Sequence, residues 1–128
     1  MRTFIPFLLV GAGGFIGSMM RYLVTVFFQD FQSIPYGTLI SNLAGCFLIG
    51  IITGVSAGIP QLSNEARLFL ATGVCGGFTT LSSFIYELAE ISRSGDFITG
   101  SFYFAGTLAG AAFAFYLGLS LVKISLRV

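Results

Sequence analysis

Apolar residues run in four long blocks, Phe4 to Phe28, Gly37 to Gly58, Arg67 to Ile91 and Ile98 to Val122, separated by short polar stretches. About 20 helical residues cross the ~30 Å hydrocarbon layer of a bilayer, so each block is long enough to span it. The pattern predicts an all-α integral membrane protein in which residues 1–128 form a single four-span domain. The first connector ends in Pro35, which suits the start of the second helix. In the second connector, Ser63 or Asn64 is placed to cap the third helix, and Glu65 favours its positive end. Tyr22, Tyr36 and Tyr86 fall toward span ends, where amphipathic rings settle at the membrane surface. The first block follows Arg2 as a signal peptide would, but it runs past signal length and lacks a small-x-small cleavage pattern, so it reads as a retained span.

Composition narrows the function. Only 9% of the 128 residues are charged and 55% are apolar, with a mean hydropathy of +0.95. A soluble domain carries about 25% charged residues, so a water-soluble enzyme is excluded. Six Lys+Arg against five Asp+Glu leave a net charge of +1, without the basic excess of a nucleic-acid binder. The absence of histidine removes His-based triads, His-ligated zinc and imidazole switches from this chain. Cys46 and Cys75 lie inside apolar blocks and read as small buried thiols. Four spans put both termini on one side, with Arg2, Arg67, Lys123 and Arg127. The other side has Arg93, plus Arg21 if it snorkels outward, a narrow bias toward cytoplasmic termini.

Glycine recurs at four-residue spacing in Gly13/Gly17, Gly50/Gly54/Gly58, Gly73/Gly77 and Gly106/Gly110. Small residues at this spacing let helix backbones approach closely in lipid. They serve either packing among the four spans or pairing with a second subunit, and four helices alone enclose little space for a pathway. The Gly11–Gly17 stretch lies inside an apolar span and lacks the Gly-Lys-Ser/Thr ending of a phosphate loop.

Polar groups inside spans are costly and therefore mark candidate sites. Thr38, Asn42, Gly45 and Cys46 share one face of the second span; Asn42 either bridges helices or presents its amide to a transported species. The third span carries Gly73, Gly76, Gly77, Thr79, Thr80, Ser82 and Ser83 near its middle. Such residues weaken a continuous helix and predict a break there, the alternative being an unbroken helix whose hydroxyls bond back onto their own turn. A break frees carbonyls that suit a hard cation such as Na⁺, and N–H groups that suit an anion. Leu81, Phe84 and Glu87 follow at three-residue spacing, read as one face on which ring edges attract an anion. Tyr103, Thr107 and Ala111 share a face of the fourth span. Arg21 is either a membrane anchor or interfacial ion pair, or a charge that draws anions to a vestibule.

Three motifs in order, Gly13-Gly-x-x-Gly17-x-x-x-Arg21-Tyr22, Pro35-x-Gly37-Thr38-Leu39-x-x-Asn42-x-x-Gly45 and Gly73-x-x-Gly76-Gly77-Phe78-Thr79-Thr80-Leu81-Ser82-Ser83-Phe84, resemble the Fluc/CrcB fluoride channels over essentially the whole chain. The resemblance implies a fluoride-selective channel of the plasma or inner membrane, built as an inverted, dual-topology dimer with two antiparallel pores. It implies a structural Na⁺ at the subunit interface on the carbonyls of Gly76 and Thr79. It implies a pore lined by Asn42, Leu81 and Phe84, with a hydroxyl track of Thr38, Ser83, Tyr103 and Thr107 and with Glu87 near a mouth, where Arg21 is also placed.

Two positions depart from the family pattern. Leu81 stands where a phenylalanine is usual, and Ala111 where a hydroxyl is common. Leucine keeps volume without an electropositive ring edge, so a pore using it should conduct less. A homodimer is the favoured assembly, and a heterodimer with a homologous subunit is compatible with Leu81 and the weak charge bias. The alternative function is a small multidrug-type proton-coupled exporter, which requires a membrane-buried carboxylate normally in the first span, where this chain has none. A membrane subunit without transport is the third reading.

Overall fold

The computed structural model describes residues 4–31, 33–58 and 62–126. Arg2 and Arg127, counted above for orientation, lie outside the described residues, as do Gln32 and positions 59–61 of the connectors. Four helical spans cover Ile5–Phe27, Tyr36–Gly58, Asn64–Arg93 and Phe97–Leu126, each long and apolar enough to cross a bilayer. This is a multi-pass, all-α membrane protein. We number the helices α1 (Ile5–Phe27), α2 (Tyr36–Gly58), α3 (residues 64–78), α4 (Leu81–Arg93) and α5 (Phe97–Leu126); α3 and α4 together make the third span.

The starts of the helices follow the chemistry of the connectors. Pro35 immediately precedes α2, and its carbonyl accepts the N–H of Leu39 at 3.1 Å. Ser63, rather than Asn64, caps α3, its hydroxyl accepting the N–H of Ala66 at 3.1 Å. Asp96 does the same for α5 by accepting from Thr99 at 3.0 Å. Hydrogen bonds from Thr99 hold the Asp96 carboxyl below the usual carboxylate range. The helices extend a few residues beyond several of the expected limits, most at the ends of the third and fourth spans.

The spans pack chiefly as two pairs, α1 with α3 and α2 with α5, and glycine sets both seams. A Cβ on Gly17 would run into the Val74 carbonyl and sit 2.8 Å from the Phe78 nitrogen; one on Gly77 would sit 2.5 Å from the Gly14 carbonyl. In the other pair, Gly50 meets the Phe115 carbonyl and Gly118 meets that of Phe47. Six glycines of the spaced pairs, Gly13, Gly17, Gly50, Gly54, Gly73 and Gly77, thus serve contacts within the chain. Gly106 is different: a Cβ there meets nothing within 4 Å.

The third span is broken within the expected stretch, just past the paired glycines. Gly76 and Gly77 remain helical, closing α3, and the chain becomes extended at Thr79 (φ −87°, ψ 156°) and Thr80 (φ −153°, ψ 116°) before α4 resumes at Leu81. Ahead of the break, Leu68–Cys75 is wound as a π-helix, with the Gly76 N–H reaching the Ala71 carbonyl five residues back.

Candidate functional site

The break lies halfway along the third span, at a depth where lipid offers no hydrogen bonds. Other spans supply those bonds. The Thr80 N–H, which an uninterrupted helix would send to Gly76, donates to Asn42 Oδ1 at 2.7 Å. Asn42 Nδ2 donates in turn to the Thr80 carbonyl at 3.0 Å, so one α2 side chain satisfies both backbone groups of one residue. Arg21 of α1 donates through Nε to the Gly77 carbonyl at 3.1 Å, the acceptor that Leu81 N–H would otherwise have reached. Arg21 thus neither snorkels freely nor pairs with a carboxylate; it ties α1 to the last turn of α3.

Thr80 also starts the second half of the span. Its hydroxyl accepts the Ser83 N–H at 3.1 Å and bonds the Ser83 hydroxyl at 3.1 Å, a part-buried N-cap set midway along the span rather than at its end. Thr79 turns its own hydroxyl back to the Cys75 carbonyl at 3.0 Å. Its methyl occupies the space a Cβ on Gly45 would need, so Gly45 seats the break against α2. Gly76 is exposed on the surface of the isolated subunit beside this point.

Two turns beyond the break, Glu87 is held by two hydroxyls from two different spans. Thr38 of α2 donates to Oε1 at 2.6 Å and Tyr103 of α5 donates to Oε2 at 2.6 Å. Thr38 is 4% exposed and Tyr103 2%, so both hydroxyls depend on this carboxylate for a partner. Phe84, 1% exposed, packs against Tyr103 with ring centroids 5.1 Å apart and stacks on Phe104 at 6.2 Å. A cavity of about 210 Å³ opens beside Glu87 and Thr38, walled by Phe28, Phe31 and Tyr36, and places Glu87 at the inner end of a mouth. Replacing Glu87 with Ala would strand both buried hydroxyls, a loss of about 1–3 kcal/mol for each. Glu87→Gln, which still accepts from one of them, should cost roughly half as much; thermal unfolding in detergent separates the two.

The structure therefore gathers Thr38, Asn42, Ser83, Phe84, Glu87, Tyr103 and the break at Thr79 along the seam where α4 meets α2 and α5. Thr107 lies buried one turn along from Tyr103 on α5. Leu81 is elsewhere: it is 70% exposed on the outer surface of α4. Steps of three residues drift by about 60° around a helix, so Leu81, Phe84 and Glu87 spread over roughly a third of the circumference rather than forming one face. Two contributors escaped the motif reading, Phe104, which backs Phe84, and Ser41, fully buried on α2; Thr80 was read as a residue of the break but not as the backbone partner of Asn42. The Thr80–Ser83 spacing is a capping signal that could have marked the restart of the helix.

Residues 8–119 match the family described as CrcB-like protein, Camphor Resistance (CrcB). A protein named fluoride-specific ion channel FluC from Chlorobium phaeobacteroides (strain BS1) is 46% identical over 118 residues, covering 91% of this chain and 92% of the relative. Its namesake from Prosthecochloris aestuarii is 44% identical over 124 residues, covering 96% and 97%. One from Leptospira interrogans is 38% identical over 118 residues, covering 91% and 93%. With matches of this extent along nearly its full length, the chain belongs to the CrcB family.

Proposed function

We propose that this protein is a fluoride-specific channel that lets the anion leave the cytoplasm passively, and not an enzyme. The observation that carries the reading is the break at Thr79–Thr80, where Asn42 takes over the backbone hydrogen bonds inside a span, in a chain whose relatives are named fluoride-specific channels. Fluoride is compact and strongly hydrated, so a pathway must replace its water with donors in a dry, apolar wall. Asn42 uses one N–H on Thr80 and keeps the second for the ion. Ser83 and Thr107 supply hydroxyl protons, Thr38 and Tyr103 supply theirs when they turn from Glu87 to the ion, and Phe84 supplies the positive rim of its ring. Glu87 marks the mouth. Protonated fluoride enters from an acidic exterior, dissociates in the more alkaline cytoplasm, and the anion leaves down its gradient; no side chain has to change protonation.

The chain works as a pair of inverted copies in this reading. Ser82 and Gly76 are exposed beside the extended Thr79–Thr80 segment, and broken backbone at this depth is tolerated only under protein or against an ion or water. A second subunit laid over this surface supplies that cover and brings Leu81 from the exterior of one copy toward the pathway of the other. The carbonyls of Gly76 and Thr79 fit a Na⁺ site. Asn42 has drawn away the N–H that Gly76 would have received, and oxygen donors of this kind suit a hard cation. Bound there, Na⁺ supplies fixed positive charge at the joint. Homologous but different subunits are the alternative to identical ones, and flux from vesicles containing this chain alone decides between them.

Electrode-monitored efflux from vesicles holding only the purified protein tests the reading. Fluoride should leave rapidly and chloride should not; equal leakage of the two halides overturns selectivity. A proton ionophore should leave transport intact, whereas abolition would indicate a proton-coupled exporter. Leu81→Phe should raise fluoride flux roughly two- to tenfold, as expected for about 0.5–1.5 kcal/mol from one added ring contact. Unchanged flux would remove position 81 from the pathway.

A further inference from the structure

Hydroxyls within helices commonly bond the carbonyl four residues back, and Thr25, Thr53, Ser56, Thr79 and Ser92 all do so here. Two buried hydroxyls do not. Ser41 Oγ, on a residue with 0% exposure, and Thr107 Oγ1, on a residue with 4%, have no hydrogen-bond partner among the described residues. Buried polar groups are paired in folded proteins, so two orphans need a partner the chain does not provide.

Their placement relates them to each other. Helices α2 and α5 run in the same direction along their seam: Leu43 lies against Gly110, Phe47 against Gly118 and Val122 against Gly54. In that register Ser41 and Thr107 stand at matching levels. Ser41 follows Thr38 by three residues and Thr107 follows Tyr103 by four, each one turn further along than the pair of hydroxyls that holds Glu87. Asn42, the next residue on α2, carries the hydrogen bonds of the break.

We propose that Ser41 is a further ion-contacting residue, which with Thr107 forms a station for the permeating anion between the Glu87 clamp and the Asn42 level. The proposal rests on the channel reading above and adds a donor to it. Both hydroxyls are free to turn their protons toward a bare anion, and no carboxylate shares their level to repel it, Glu87 lying a turn away with both oxygens already engaged. Both residues are buried from the surface of the subunit, which suits a strongly hydrated species that must be met by protein donors at every step.

The test measures fluoride efflux and its half-saturating concentration for the wild type, Ser41→Ala and Ser41→Cys, alone and with Thr107→Val. Cysteine keeps the size of serine while giving only a weak donor. Both Ser41 variants should lose about tenfold in efflux, the order expected for one charge-assisted hydrogen bond, with a raised half-saturating concentration. Adding either to Thr107→Val should cost less than the product of the single losses. Wild-type behaviour of Ser41→Cys beside a defective Ser41→Ala would assign Ser41 to packing and overturn the proposal. So would an unchanged half-saturating concentration, or losses that simply multiply. Absence of fluoride efflux from the wild type, both alone and reconstituted together with a homologous subunit, would overturn the channel reading itself, and this proposal with it; a conducting wild type with unaffected Ser41 variants overturns this proposal alone.

Discussion

Asn42→Asp should reduce fluoride efflux from reconstituted vesicles by about 100-fold or more and lower the unfolding temperature. Asn42 donates to the Thr80 carbonyl and accepts from the Thr80 N–H, so it works as a short stretch of backbone inserted from a neighbouring helix. Aspartate keeps the acceptor and replaces the donor with a second oxygen, which then faces the carbonyl lone pairs. It also puts a negative charge on the anion's route. At about 5 Å and an effective dielectric of about 20, two like charges repel by about 3 kcal/mol, which alone slows passage more than 100-fold. Asn42→Ala separates the two causes: it leaves both Thr80 groups unpaired, at about 1–3 kcal/mol each, without adding charge. Wild-type efflux from Asn42→Asp would remove Asn42 from the pathway.

The second large effect is expected at Gly17. A single methyl there meets the Val74 carbonyl and the Phe78 nitrogen, both backbone atoms of α3, so no rotamer change relieves the overlap. Gly17→Ala should cost more than about 3 kcal/mol, beyond the usual overpacking range because helices rather than side chains must move apart. It should appear as loss of monodisperse protein on extraction. Gly11→Ala is the control on the same helix, since a Cβ at Gly11 meets nothing within 4 Å. That variant should extract and unfold like the wild type. Equal tolerance at both positions would show that the α1–α3 seam is looser than its geometry.

These contrasts explain what could be read from the chain alone. Hydropathy located all four spans because burial in lipid is a property of each segment by itself. The glycine spacing announced close helix contacts but not their partners, since Gly13, Gly106 and Gly50 look alike until a neighbouring backbone is placed beside them. The break was legible as a weak stretch from Gly73 to Ser83, and the structure sets it at Thr79–Thr80 within that stretch. Helix propensity points to Gly76–Gly77, yet Asn42 engages the backbone of Thr80, and tertiary hydrogen bonding overrode the local preference. Asn42 and Glu87 were legible because amide and carboxylate are rare inside spans. Ser41 was not, since a helical serine usually satisfies itself and only the fold shows that this one does not.

The extended pair Thr79–Thr80 also bears on how the protein is made. The first half of the third span is seated on α1, which emerges earlier from the ribosome, while Glu87 in the second half is engaged partly by Tyr103, which emerges later. During synthesis Thr38 is available to one carboxylate oxygen, while the other must wait until the last span arrives with Tyr103. Chains truncated before Tyr103 and released from the ribosome should hold residues 64–78 in the bilayer while leaving Glu87 accessible to water-borne reagents, so that the third span is completed only when the fourth joins it.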